Sequence, residues 1–65
     1  MNMNTKLISV EEVEEGDVIL VDGTAELVED MYENVRMDGV WLRFASCLDR
    51  FYSYNDEVNL VTEGA

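Results

Sequence analysis

Sixty-five residues make one small domain with no room for a second lobe, and a chain of this length buries only roughly 60% of the surface it exposes when unfolded. Fifteen Asp and Glu against four Lys and Arg give a formal net charge of −11, which repels phosphate backbones and anionic membranes and favours a basic partner over direct nucleic-acid binding. Apolar residues at 48% argue for a packed core, while the absence of histidine removes the usual general base and commonest metal ligand, and a single cysteine precludes an internal disulfide.

The polar start of the chain reads as a flexible tail over residues 1–7, without the apolar centre of a signal peptide, and no run approaches the ~20 apolar residues of a membrane span. A cytoplasmic protein is therefore expected. One domain should occupy residues 8–62, with a short tail at 63–65. Ser9 and Glu12 have the form of a capping box, and Val10, Val13 and a closing Gly16 fit one helical turn with both valines inward. Glu11, Glu12, Glu14 and Glu15 then face water.

Val18, Ile19, Leu20 and Val21 run into Asp22-Gly23, a pair suited to a two-residue type I′ turn. That loop pairs Val21 with Thr24, Leu20 with Ala25, Ile19 with Glu26 and Val18 with Leu27. It gathers Val18, Leu20, Ala25 and Leu27 on one apolar face, which is expected to be the inner one. Residues 25–34 admit either a short helix capped by Thr24 or a strand bent at Glu29-Asp30, and the bent strand is preferred. Asp38-Gly39 repeats the hairpin signal and pairs Met37 with Val40, Arg36 with Trp41 and Val35 with Leu42, leaving Arg36, Trp41 and Arg43 together on the opposite face.

A turn near Ser46 to Asp49 precedes an aromatic strand holding Phe51, Tyr52 and Tyr54, and Tyr54 to Glu57 make a tight turn before a last strand at Val58 to Val61. Cys47 reads as a small, buried or half-buried apolar side chain. The expected fold is mainly β: a small, five-stranded, partly open barrel with a short N-terminal helical turn, because curling protects strand edges.

The order Gly16 Asp17 Val18 Ile19 Leu20, two DG hairpins, an aromatic strand and the closing Tyr54 Asn55 Asp56 Glu57 Val58 Asn59 Leu60 Val61 resembles a small SH3-like barrel over residues 8 to 61. In size and acidity the chain is also similar to small bacteriophage proteins that inhibit host factors, some by imitating DNA. That second likeness is one of composition and carries over no residue.

Gly16, Gly23 and Gly39 are each accounted for by a turn, and no phosphate- or dinucleotide-binding glycine pattern occurs. A lone cysteine without histidine is no activated nucleophile, and no acidic loop has calcium-binding spacing. The sequence therefore points away from catalysis and implies no metal or cofactor.

Two sets of residues are candidates for binding. One is acidic: Glu11, Glu12, Glu14, Glu15 and Asp17 in a first run, and Glu26, Glu29, Asp30 and Glu33 in a second. Brought onto one surface they would imitate a phosphate backbone and occupy the groove of a basic, nucleic-acid-binding host protein; kept apart they are ordinary solvated faces. The other set is Arg36, Trp41 and Arg43, residue types enriched at interface centres. They would serve an adaptor or assembly module whose acidity only aids solubility, or else Trp41 packs in a second core layer and the arginines neutralise nearby acids. A homodimer through Phe51, Tyr52 and Tyr54 is compatible with either reading.

Overall fold

The computed structural model describes residues 4–63, with the side chain of Glu63 left out. It is a single antiparallel sheet of six strands: β1 (Asn4–Ser9), β2 (Val18–Val21), β3 (Thr24–Asn34), β4 (Gly39–Phe44), β5 (Asp49–Ser53) and β6 (Glu57–Glu63). Their order across the sheet is β1-β6-β2-β3-β4-β5, so β1 and β5 are edges and the sheet is not closed.

The strand absent from the sequence reading is β1, which begins inside the segment expected to be a tail. Of its residues only Ile8 is buried, and its ladder comes from β6, where Ile8 faces Val58. A polar edge strand carries almost no hydrophobic signature. Residues 1–3 lie outside the described residues, as do 64 and 65, whereas Glu63 ends β6 rather than starting a tail.

The capping box forms as expected: the Ser9 N–H donates to Glu12 Oε2 at 3.3 Å and the Glu11 N–H to Ser9 Oγ at 3.2 Å. It starts a single 3₁₀ turn, Val10–Glu12, which ends before Val13; Gly16 belongs to a separate turn in which the Asp17 N–H donates to the Glu14 carbonyl. Val10 and Val13 are both buried.

The first hairpin has the anticipated register throughout, from Val18 opposite Leu27 to Val21 opposite Thr24. Asp22 and Gly23 both take positive φ, 51° and 84°, as a type I′ turn requires. The face is inverted, however. Ile19 and Val21 are buried, Val18 and Leu20 are half-buried, and Ala25 and Leu27 are exposed. Four consecutive apolar residues make either side of β2 acceptable to the interior, and the decision falls to the neighbours. Ile19 lies opposite Leu60 of β6 and joins Val10, Val13, Val28 and Val58 in the core.

β3 is the preferred bent strand, with its irregularity between Val28 and Asp30. The second DG pair does not make a two-residue hairpin. Val40 faces Glu33 instead of Met37, four residues earlier, Trp41 faces Tyr32, and Leu42 faces Met31. The connection is a 3₁₀ turn, Val35–Met37, capped by the Asn34 side chain, which accepts the Met37 N–H at 3.2 Å, and ended by Asp38 in the left-handed region. Val35 and Met37 are therefore exposed. An even slip keeps every residue of β4 on its side. Val40, Leu42 and Phe44 remain inward while Trp41 and Arg43 remain outward. Gly39 is not a turn glycine but the first, buried residue of β4.

The last loops differ slightly from expectation. The chain turns at Ala45 to Cys47, β5 starts at Asp49, and Tyr54 lies just past β5 in the next turn. Phe51 sits opposite outward Trp41 and Tyr52 opposite buried Val40, so Phe51, Tyr52 and Tyr54 do not share the face that the aromatic-dimer reading needs.

Cys47 is exposed, not buried, at φ 72°. The turn puts it there: its N–H donates to the Phe44 carbonyl, and the Phe44 N–H donates to Leu48, both at 2.8 Å. A thiol reagent is expected to modify the folded protein as fast as the urea-unfolded one. Strong protection in the native state would contradict this placement.

Candidate functional site

Among the described residues there are two ion pairs, Arg43 with Asp49 at 3.2 Å and Arg50 with Asp22 at 2.8 Å. None of the nine candidate carboxylates takes part in either.

The fold sets the two acidic runs side by side. The Gly16 N–H donates to the Val28 carbonyl and the Val28 N–H to the Asp17 carbonyl, both at 2.8 Å, so the first run docks on β3 at the start of the second. Further along, Glu11 and Glu33 line one cavity of about 370 Å³. The two runs therefore meet at two points: Gly16 and Asp17 are hydrogen-bonded to Val28, and Glu11 and Glu33 face a shared cavity.

The individual carboxylates have different surroundings. Glu12 is used in the capping box, and Asp17 Oδ2 accepts the Glu14 N–H at 2.9 Å. Glu26 accepts the Ser46 hydroxyl at 2.8 Å. Asp30 lies opposite Arg43 and adds to the negative field around that guanidinium, so it belongs to the outward face of the sheet. Glu11, Glu14, Glu15, Glu29 and Glu33 remain as exposed carboxylates, with Glu33 accepting the Tyr54 hydroxyl at 3.2 Å. They form the core of the acidic surface.

The cavity is lined by Val10, Glu11, Met31, Glu33, Val40 and Tyr54. Val10 and Val40 are buried, Met31 and Tyr54 are half-buried, and the two glutamates are exposed. Tyr54 is fixed by its N–H, which donates to the Asp38 carbonyl at 3.0 Å. Partial burial, then the charge and hydrogen bond of Glu33, then the charges of Glu11 and Asp38 push the Tyr54 phenol above its ordinary value. Burial is also the main reason that the Tyr52 phenol is raised. The neutral phenols are thus favoured by folding: their contribution is complete below the ordinary value of 10.0 and is lost as pH rises through the folded values. Phenolate absorbance should show a late-ionising phase from Tyr52 and Tyr54 that Tyr54→Phe reduces; an unchanged late phase in that variant would contradict the assignment.

The second candidate set is divided. Trp41 and Arg43 share the outer face of β4, but Arg36 stands in the Val35–Met37 turn, away from their ladder positions. Tyr32, Trp41 and Phe51 instead make a row across β3, β4 and β5, with the Trp41 and Phe51 rings tilted at 5.5 Å. Tyr32 at 53% exposure and Trp41 at 39% face water, which sets aside a second core layer around Trp41.

The cavity residues come from the first 3₁₀ turn, β3, β4 and the turn after β5, a convergence with no spacing in the sequence to announce it. Among the described residues, no three carboxylates or thiols come together as a metal-ligand group, and no helix is long and apolar enough to cross a membrane. Comparison with protein-family models, with curated proteins and with solved structures finds no match for this chain.

Proposed function

We propose that this chain is a non-enzymatic binding protein whose acidic surface occupies the nucleic-acid-binding groove of a basic protein and so inhibits it. The observation that carries this reading is the hydrogen bonding of Gly16 and Asp17 to Val28, with Glu11 and Glu33 on one cavity, which brings the two acidic runs together with no Lys or Arg paired to their exposed carboxylates. A net charge of −11 on so small a body draws a basic partner in and lets carboxylates replace phosphates against its cationic side chains. The bend in β3 and its use by both halves of the sheet fit an SH3-like arrangement. The compositional likeness to phage inhibitors makes a phage-encoded protein acting in the host cytoplasm the natural setting.

The test is competition. A basic protein captured on the immobilised chain at low salt should be released by duplex DNA or RNA. A stable ternary complex of chain, partner and nucleic acid would contradict the proposal.

The row of exposed Tyr32 and Trp41 with half-buried Phe51 favours a second reading, an adaptor or assembly module that docks through this face while the acids serve solubility. In that case Trp41→Ala abolishes partner binding and neutralising the exposed glutamates leaves it intact.

A further inference from the structure

The cavity between the first 3₁₀ turn and β3 combines features that solubility does not require. It is lined by three apolar side chains, Val10, Met31 and Val40, together with Tyr54 and the carboxylates of Glu11 and Glu33. Asp38 adds negative charge, and none of the three carboxylates is in an ion pair with Lys or Arg. An anion would be repelled from this cavity. A wholly apolar guest would strip water from the carboxylates without replacing its hydrogen bonds. A bare metal ion would make no use of the apolar side chains.

What matches all of these surfaces is a long side chain with an aliphatic stem and a cationic head. We infer that this cavity receives an arginine side chain of the basic partner, its stem on Val10, Met31 and Val40 and its guanidinium against Tyr54 and the Glu11 and Glu33 carboxylates. Arginine fits better than lysine because its planar head donates several hydrogen bonds in a fixed fork and lies flat on an aromatic ring. The inference rests on the reading of the acidic surface as a docking surface and names the point at which one side chain enters it.

The probe is a capped glycine peptide with one central arginine, titrated into the full chain at low salt and followed by amide NMR, beside the same peptide carrying neutral citrulline. Saturable shifts are expected at Val10, Glu11, Met31, Val40 and Tyr54 with arginine and not with citrulline. Glu33→Gln and Glu11→Gln should each weaken binding about tenfold, the usual loss for a charge-assisted hydrogen bond, while Glu14→Gln changes it less than about twofold. Both key positions are exposed and glutamine still accepts a hydrogen bond, so the fold survives the substitutions.

Shifts spread along Glu14, Glu15 and Glu29, equal affinity for citrulline, or equal losses in Glu33→Gln and Glu14→Gln would overturn the inference. The docking surface would outlive any of those results, since its own tests are competition with nucleic acid and the salt dependence of partner binding.

Discussion

Gly39→Ala is expected to cost about 3 kcal/mol and to lower the urea midpoint sharply. A Cβ at this position would land on the Phe51 ring and on the Tyr52 carbonyl. The carbonyl has no freedom to move, since it belongs to the β4–β5 ladder, where Gly39 faces Ser53, and the Phe51 ring would have to give up its packing on Trp41. A chain of this length has a total margin of roughly 3 to 10 kcal/mol, so one such clash consumes a large part of it. Gly23→Ala is the informative comparison. There a Cβ meets open space and the penalty comes from φ alone, about 1 kcal/mol. Urea unfolding followed by circular dichroism should therefore rank Gly39→Ala well below Gly23→Ala, and equal midpoints would refute the close packing assigned to Gly39.

Changing Glu11, Glu14, Glu15, Glu29 and Glu33 together to Gln should move two quantities in opposite directions. Partner affinity should fall by about a hundredfold, because the five carboxylates at the core of the acidic surface lose their charge. Stability should rise, because these charges repel one another in the folded chain and few cations offset them. Misfolding would lower both quantities, so the opposed signs separate loss of a binding surface from loss of structure. Trp41→Ala in parallel should leave affinity within about twofold, since an exposed residue outside the docked surface contributes little.

The parts of this fold legible in the sequence are those fixed by short-range chemistry. Asp22-Gly23 sets both a turn and a register because positive φ at two adjacent positions admits few alternatives. Ser9 and Glu12 likewise announce their cap. The same dipeptide at Asp38-Gly39 misleads, because Asn34 caps a 3₁₀ turn just upstream and Gly39 is needed where β5 packs closely on β4.

What depends on distant partners was less legible. Val18 to Val21 carries no alternation, so the inward side of β2 was settled by Leu60 and the two valines of the preceding segment. β1 was hidden because its stability lies in backbone pairing with β6 rather than in apolar side chains. The acidic runs were visible by composition; that they lie alongside each other depends on two backbone hydrogen bonds at Val28 that no local pattern encodes. Trp41 and Arg43 kept their shared face only because the register slipped by an even number of residues, while Arg36 left the ladder altogether.

The most direct test of the proposed electrostatic docking is the affinity for the purified partner as a function of salt. The acidic surface predicts that log Kd rises steadily with log salt, by at least about tenfold between dilute buffer and physiological ionic strength, and that neutralising the five glutamates flattens the slope. An affinity that is independent of salt in the wild-type chain would contradict it.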